Sequence, residues 1–344
     1  MLCVNFLEWV PRWLLRFYPW IYHRMIGRAP RVWALGYYSL DHPAMFAMVR
    51  HGRWLWNRVA ARRMMRWIES VKPDVAVSTH FFAAEVFGYA RQTGRVGRAV
   101  AVVTDLFPHR LWLAPGTDAF AVGSEQSKQL CERRGVDPAK LHVLGIPIHA
   151  RFKTTAERRS QLKSEAGLDP ARRTVLVASG GMGLGPMEQL VRGFGEMERT
   201  APGRVQLLVV CGENTGLVER LRAYAAGCAM PMQVFEFVNT MPELMTISDL
   251  LVTKAGGLTI MEALAVGLPM VFCGVIPGQE EFNAEYVVQQ GAAVLTERPG
   301  DAVQAAMRVL DEPARLERMR AAARRAGRPD AADQIVQQLV CNGR

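Results

Sequence analysis

No segment of this 344-residue chain has the unbroken apolar length that a membrane-spanning helix requires. The longest run without a charged side chain covers 17 residues, 263–279, and Pro269, Gly274 and Pro277 interrupt it. A spanning helix needs about 20 predominantly apolar residues. The opening MLCVNFLEWVPRW has no basic flank, and Glu8 and Pro11 break its apolar stretch, so it does not read as a secretory leader. Cysteine is sparse and dispersed: six residues (3, 131, 211, 228, 273, 341) with no C-x-x-C pair fit a reducing cytoplasm better than a disulfide scaffold. The seven histidines show no ligand-like spacing and there is no D-x-D, so no metal site is expected. No internal repeat and no low-complexity tract is visible.

Acidic residues are scarce in the first half alone. Residues 1–152 hold 21 Lys/Arg against 10 Asp/Glu, a net charge of +11, whereas 153–344 hold 21 against 22. Within 1–72 the count is 12 against 3, and seven of the eight tryptophans (9, 13, 20, 33, 54, 56, 67) fall there. Trp and Tyr favour the headgroup level of a bilayer, and Lys/Arg are drawn to anionic lipid. Phe6, Val10, Trp13, Leu14, Phe17 and Ile21 recur at steps of three and four, a helical stripe over 5–26 that Pro11 and Pro19 break or kink. Residues 44–70 are a second basic, tryptophan-rich helical stretch. Two readings stand, and they are compatible: amphipathic helices packed on a core, or an in-plane membrane contact. Basic residues with aromatics also suit nucleic acid, but no RNA- or DNA-binding module accompanies them, so no such partner is expected.

At about 150 residues per domain the length predicts two domains. Half of the residues are hydrophobic and 22% charged, ample for two cores. After Pro73, Val-rich runs alternate with helical segments: DVAVST (74–79), a helix over 81–92, AVAVVT (99–104), AFAVGS (119–124), a helix over 125–134 and KLHVLGIPI (140–148). Polar residues 149–173 mark a boundary, placed at 152/153. A second set comes next: strands 174–179, 205–212, 232–238, 249–254, 269–274 and 292–296, with helices 186–199, 215–227, 241–247, 257–266 and 280–290 between them. Helices at 301–326 and 330–341 close the chain. The alternation predicts an α/β architecture with parallel sheets covered on both faces. The domains are 1–152, 153–326 and a terminal helix within 327–344. Two such units in series imply a cleft, with ligands beyond the carboxyl ends of the strands.

Three stretches carry candidate chemistry. SGGMGLG (179–185) joins a strand to a helix; glycines admit a ligand close to the backbone, and free amides at a helix start favour an anion. It is neither G-x-G-x-x-G nor a Walker loop, and a tight turn without a ligand fits it equally. KAGGLTIMEALAVGLP (254–269) sets Gly256 and Gly257 in a turn, Thr259 in the first helical turn and Glu262 one turn on, along the same side. Amides and a hydroxyl there suit a diphosphate, and the carboxylate suits the two hydroxyls of a ribose; a favourable acid near a helix start is the plain alternative. PGQEEFNAEY (277–286) leads from a Pro-Gly turn into a helix bearing Gln279, Glu280 and Asn283, groups that suit a polyhydroxyl ligand or simply cap a helix.

The order SGGMGLG, then FVNTMPELMTISDLLVTKAGGLTIMEALAVGLPMV, then PGQEEFNAEYVVQQGAAV resembles the C-terminal domain of glycosyltransferase family 28. KPDVAVSTH (72–80), VVTDLFPHRLW (102–112), TDAFAVGSEQSKQLCERRGV (117–136) and LHVLGIPIHARF (141–152) resemble its monogalactosyldiacylglycerol synthase branch, which includes bacterial diacylglycerol glucosyltransferases. The resemblance implies a GT-B fold: two Rossmann-like domains facing across a cleft, UDP-sugar in the second, the C-terminal helix packing back on the first. On that likeness Ser179, Gly180, Gly181 and Gly183 border the nucleotide, and Phe237 and Val238 flank the uracil. The turn with Gly256, Gly257 and Thr259 holds the diphosphate, Glu262 the ribose, and Gln279, Glu280 and Asn283 read the sugar. Family members open with a strand and a G-G-G-H loop whose His is a candidate base. Here the chain begins with a segment resembling the region just beyond that loop, so a start codon set too far downstream or a truncated or divergent member is expected.

The implied reaction is an inverting transfer of a hexose from a UDP-sugar to a diacylglycerol-type lipid, with no metal and no cofactor. A base must take the acceptor's proton. Asp105 and His109, after the strand AVAVVT, are the catalytic candidates, and His80 sits similarly. The leaving UDP would be stabilised by helix-start amides. The +11 first domain would hold the enzyme on the anionic inner face of the cell membrane, peripheral and cytoplasmic. Alternatives are the peptidoglycan-precursor N-acetylglucosaminyltransferase, a UDP-N-acetylglucosamine epimerase, and a UDP-sugar-binding remnant without activity.

Overall fold

Two all-parallel sheets organise the chain in a computed structural model that describes residues 2–9, 30–49, 52, 61–153, 159–183 and 185–341. The chain divides into two units: Met1–Pro147 with Pro277–Gln279 and Asp330–Arg344, and Ile148–Ile276 with Glu280–Pro329. The expected break at 152/153 falls later than this division. The turn Ala150–Phe152 packs with the second unit, where Arg151 Nη1 donates to Asn239 O (3.0 Å) and Nη2 to Glu243 Oε1 (2.6 Å).

In the first unit, β1 (Val75–Ser78), β2 (Arg98–Val102), β3 (Ala119–Val122) and β4 (Leu141–Val143) pair in the order β1-β2-β3-β4. The helices are α1 (Pro30–Asp41), α2 (Arg62–Val71), α3 (Phe81–Gln92) and α4 (Glu125–Arg133). Their starts obey local chemistry: His80 Nδ1 accepts from Phe82 N at 3.3 Å, and Ser124 Oγ accepts from Ser127 N at 3.1 Å. Alternate residues of β2 face opposite sides. Ala101 packs with Trp112, Phe120 and Val122, whereas Val100 and Val102 pack with Ala119, Ala121 and Leu144. Ile335 and Leu339 complete the second of these clusters, so the terminal segment joins the first unit, as expected.

In the second unit, β5 (Arg173–Ala178), β6 (Val205–Val210), β7 (Met232–Phe235), β8 (Leu250–Thr253), β9 (Met270–Phe272) and β10 (Ala293–Leu295) run in the order β10-β9-β8-β5-β6-β7. The intervening helices are α5 (Arg159–Glu165), α6 (Met187–Thr200), α7 (Thr215–Ala226), α8 (Met241–Ile247), α9 (Gly257–Val266), α10 (Gln279–Gln289), α11 (Pro299–Asp311) and α12 (Pro313–Ala326). β6 and β8 are buried along their whole length, which is why they read as continuous apolar runs rather than alternating ones. Val175, Val177, Leu207, Val209 and Val252 meet Leu190, Val191 and Phe194 of α6 and Val303, Ala306 and Leu310 of α11. Asp249 ties the start of β8 to that of β5. Its carboxylate accepts from Thr174 N (2.8 Å), Arg159 (2.7 Å) and Arg320 (2.8 Å). Burial pushes its pKa up, but Arg159, the Thr174 amide, Lys163 and Arg320 outweigh that and hold it below the usual range.

Two expectations are corrected. The single helix over 301–326 is two, α11 and α12, because Pro313 has no N–H to continue α11 and instead opens α12. The strand over 140–148 is only Leu141–Val143. Of the tryptophan-rich start, Trp9 and Trp67 pack ring on ring at 5.2 Å beside the cluster of Met64, Ile68 and Phe87; the eighth tryptophan, Trp112, is buried further along the chain. Trp13, Trp20, Trp54 and Trp56 lie outside the described residues, as do residues 10–26 of the helical stretch read over 5–26 and residues 50–51 and 53–60 of the one read over 44–70. No described helix is long and apolar enough to cross a membrane.

Candidate functional site

From β5 the chain builds outward to β6 and β7, then returns to place β8 on the other side of β5. This reversal leaves a crevice at the carboxyl ends of β5 and β8, the place where open α/β sheets bind ligands. The two glycine turns read from the sequence come directly after these two strands.

After β5, Ser179 is buried, and Gly180 (φ +68°), Gly183 (φ +57°) and Gly185 (φ +106°) adopt left-handed backbone. These glycines do different things. A Cβ at Gly183 would lie 2.0 Å from Cys211 O, because this turn interlocks with the one after β6. Glu213 N donates to Gly181 O (2.8 Å) and Asn214 Nδ2 to Gly183 O (3.3 Å). Among the described residues, a Cβ at Gly181 would meet nothing within 4 Å, and one at Gly180 only Lys254 Cε, at 3.8 Å. Gly183 is therefore a packing glycine, and Gly180 and Gly181 are the pair that leaves space.

After β8, Gly256 stands at the N-cap of α9 with no side chain to cap it. The helix bonds begin with Ile260 N to Gly256 O (3.0 Å), so the first-turn amides of Gly257, Leu258 and Thr259 have no partner within the helix. Such an end attracts an anion. Thr259 and Glu262 lie three residues apart on α9. Glu262 is half-buried with no hydrogen-bond or ion-pair partner among the described residues, and burial alone pushes its carboxyl up to about 7. A partly desolvated carboxylate with no donor among the described residues is a group suited to hydroxyls.

The remaining expected residues are less uniform. Phe237, just beyond β7, is 60% exposed, with Val238 half-buried beside it. Glu280, in the first turn of α10, is bonded to the Lys254 ammonium and accepts from Ile276 N at 3.1 Å. Asn283 is 1% exposed; its Nδ2 donates to Ala255 O (3.0 Å) and its Oδ1 has no partner among the described residues. As placed, Asn283 fastens α10 to the β8–α9 turn. Lys254 was not among the expected site residues. Its signal was position: it is the cation that opens KAGG.

In the first unit, Asp105 Oδ2 accepts from Trp112 Nε1 at 2.7 Å, and Oδ1 accepts from Gln279 Nε2. Burial pushes the Asp105 carboxyl up to about 6, against the lowering effect of those two donors. Gln279 therefore stands with Asp105 rather than with Glu280. His109 is 3% exposed; its Nδ1 accepts from Leu111 N (3.1 Å), which puts the proton on Nε2, 3.1 Å from Tyr37 O. As placed, Nδ1 accepts at the start of the Arg110–Trp112 turn and Nε2 faces Tyr37 O, so the ring is engaged on both sides. Asp41 beside it accepts from Arg110 N (3.0 Å) and from Arg134. His80 likewise caps α3, and burial lowers its pKa.

Residues 2–148 match the sequence model of monogalactosyldiacylglycerol (MGDG) synthase, and residues 174–335 that of the glycosyltransferase family 28 C-terminal domain. A processive diacylglycerol beta-glucosyltransferase of Bacillus subtilis is 29% identical over 267 residues, which is 77% of this chain and 68% of that protein. The chloroplastic monogalactosyldiacylglycerol synthase of Spinacia oleracea is 29% identical over 339 residues, 95% of this chain and 63% of that protein. Among solved structures, MurG of Acinetobacter baumannii superposes with a TM-score of 0.61 at 17% identity, covering 82% of this chain and 78% of that one. The UDP-GlcNAc 2-epimerase of Neisseria meningitidis, solved with UDP-GlcNAc, gives 0.61 at 14% identity, covering 82% and 81%. At such identities the structures establish the fold, which is GT-B.

Proposed function

The chain belongs to glycosyltransferase family 28, in its monogalactosyldiacylglycerol synthase branch, and from that membership we propose that it moves a hexose from a UDP-sugar to a hydroxyl of a diacylglycerol-type lipid. The observation that carries the donor side is Glu262. It is a desolvated carboxylate with no partner among the described residues, one turn beyond the uncapped start of α9, at the crevice between β5 and β8.

The donor's diphosphate takes the amides of Gly257, Leu258 and Thr259 with the Thr259 hydroxyl, and the space over Gly180 and Gly181 lets it lie close to the backbone. Glu262 accepts from both ribose hydroxyls. Phe237 and Val238 flank the uracil, and Glu280 reads sugar hydroxyls. The acceptor oxygen attacks the anomeric carbon as the bond to UDP breaks, with inversion. The electron pair leaves on the diphosphate, whose charge the α9 amides stabilise; losing one such donor typically costs about 3 kcal/mol of barrier. Asp105, with a pKa of about 6, is ionised at neutral pH yet basic enough to take the acceptor's proton.

The acceptor is dissolved in lipid, so the first unit must meet a bilayer. Val32, Leu35, Tyr38, Leu40, Met45 and Met48 expose apolar surface on and just after α1, in the half of the chain with net charge +11. The reading is peripheral attachment to the anionic cytoplasmic face, at about 1 kcal/mol for each basic residue near the surface.

The test is turnover: labelled UDP-glucose and UDP-galactose with diacylglycerol vesicles, scored for glycolipid. Glycolipid from at least one donor is expected. UDP binding without transfer to diacylglycerol contradicts the acceptor assignment, and sedimentation that shows no binding to anionic liposomes at low salt contradicts the membrane contact.

A further inference from the structure

We propose that Lys254 and Glu280 are an exchangeable ion pair that couples capture of the donor's diphosphate to reading of its sugar; the proposal rests on the UDP-sugar reading of this site. Both side chains are mostly buried, 17% and 13% exposed, and they hold each other. Lys254 stands at the end of β8, at the reversal of strand order. A Cβ at Gly180 would lie 3.8 Å from its Cε, and a Cβ at Gly256 would lie 3.5 Å from its Nζ. The ammonium is therefore already between the two glycine turns, beside the uncapped start of α9. A bend of its flexible stem, with no backbone shift, turns it from Glu280 to an anion seated there.

The exchange has a direction. A diphosphate carries more charge than a carboxylate and offers the ammonium several acceptors, so it wins Lys254. Glu280 is then left with one oxygen on Ile276 N and the other without a donor, in a mostly buried place. An uncompensated carboxylate there is costly. Hexose hydroxyls remove that cost, whereas UDP alone cannot. The pair thus makes the site prefer loaded donor over spent nucleotide. After transfer, Glu280 recovers Lys254, which helps expel UDP.

Calorimetric titration with uridine, UDP and a UDP-hexose tests this on the full chain and on Lys254→Met, Lys254→Arg, Glu280→Gln and the double variant Lys254→Met/Glu280→Gln. The unaltered chain should bind UDP-hexose more tightly than UDP. Glu280→Gln should bind UDP several-fold more tightly, since nothing competes for the ammonium, and the advantage of UDP-hexose should vanish. Lys254→Met should lose about ten- to hundredfold for UDP, the usual effect of deleting a charge-assisted partner, with uridine binding unchanged. Lys254→Arg should keep UDP binding. The double variant has no stranded carboxylate; it should be as weak for UDP as Lys254→Met or recover in part, without the tightening seen in Glu280→Gln. Tighter UDP binding in the double variant, or unchanged or weaker UDP binding in a folded Glu280→Gln, overturns the exchange while leaving the donor site standing. If the unaltered chain binds no UDP, the donor reading fails first and the exchange with it.

Discussion

The two units solve the same folding problem with parallel sheets and diverge in what they leave unsatisfied. In the second, the strand order reverses at β5, and the crevice there holds uncapped amides and a carboxylate without a donor among the described residues. In the first, the strands run β1-β2-β3-β4 with no reversal, and the polar residues in and around the loop after β2 already have partners: Asp105 with Trp112 and Gln279, His109 with Leu111 and Tyr37, and Asp41, at the end of α1, with Arg110 and Arg134. A site for a charged, hydroxyl-rich ligand shows as unused hydrogen-bonding capacity. On the proposed function, the proton acceptor Asp105 shows instead as a group fixed by its network.

The largest expected effect falls on the first unit. Asp105→Asn should lower turnover by about 10²- to 10⁴-fold, the usual contribution of a positioned base, while UDP affinity stays within error. A parallel loss of UDP affinity would blur the division of labour. Next comes the glycine contrast within the second unit. Gly183→Ala forces a Cβ to within 2.0 Å of Cys211 O at a positive φ and should cost about 2–4 kcal/mol in chemical denaturation. Gly181→Ala meets nothing and should cost under about 0.5 kcal/mol. Equal costs would erase the distinction between packing and space-leaving glycines.

The β8–α9 segment was legible from sequence because each level agrees: a Val/Leu run, a Gly-Gly break, then a helix whose bounds, Gly257–Val266, match the reading. Helical spacing puts Thr259 and Glu262 on one side of α9 but does not choose between a ribose ligand and a favourable acid near a helix start. Partnership was not legible. Nothing in PGQEEFN says that Gln279 meets Asp105, that Glu280 is neutralised by Lys254 or that Asn283 is buried against Ala255 O, since each partner is remote in sequence. His109 is read from its place at a carboxyl end of a strand; sequence position does not show that its Nδ1 accepts from its own i+2 amide. The tryptophans divided for a similar reason. Composition leaves core packing and a membrane face both open for Trp9 and Trp67; in the structure they pack on each other, partly buried, against a core cluster of the first unit.

The smallest expected effect is in the pH dependence of stability. Asp105 and Glu262 have raised pKa values, about 6 and about 7, so each favours folding most in its protonated form. That contribution is full below about pH 4 and is lost as pH rises through 6 and 7. Asp249, held low by its cations, does the opposite: its contribution is present at neutral pH and is lost in acid. Denaturation midpoints across pH 5–8 should fall less steeply for Glu262→Gln than for the unaltered chain, and an unchanged slope would mean that Glu262 is solvated.

The most direct measurement is UDP affinity by calorimetry, at pH 6 and pH 8, for the unaltered chain and Glu262→Gln. Ribose hydroxyls donate to the ionised carboxylate, so the unaltered chain should bind more tightly at pH 8, and Glu262→Gln should lose about tenfold or more there together with most of the pH dependence. Equal affinity of the two proteins at pH 8 would contradict the placement of the nucleotide on α9.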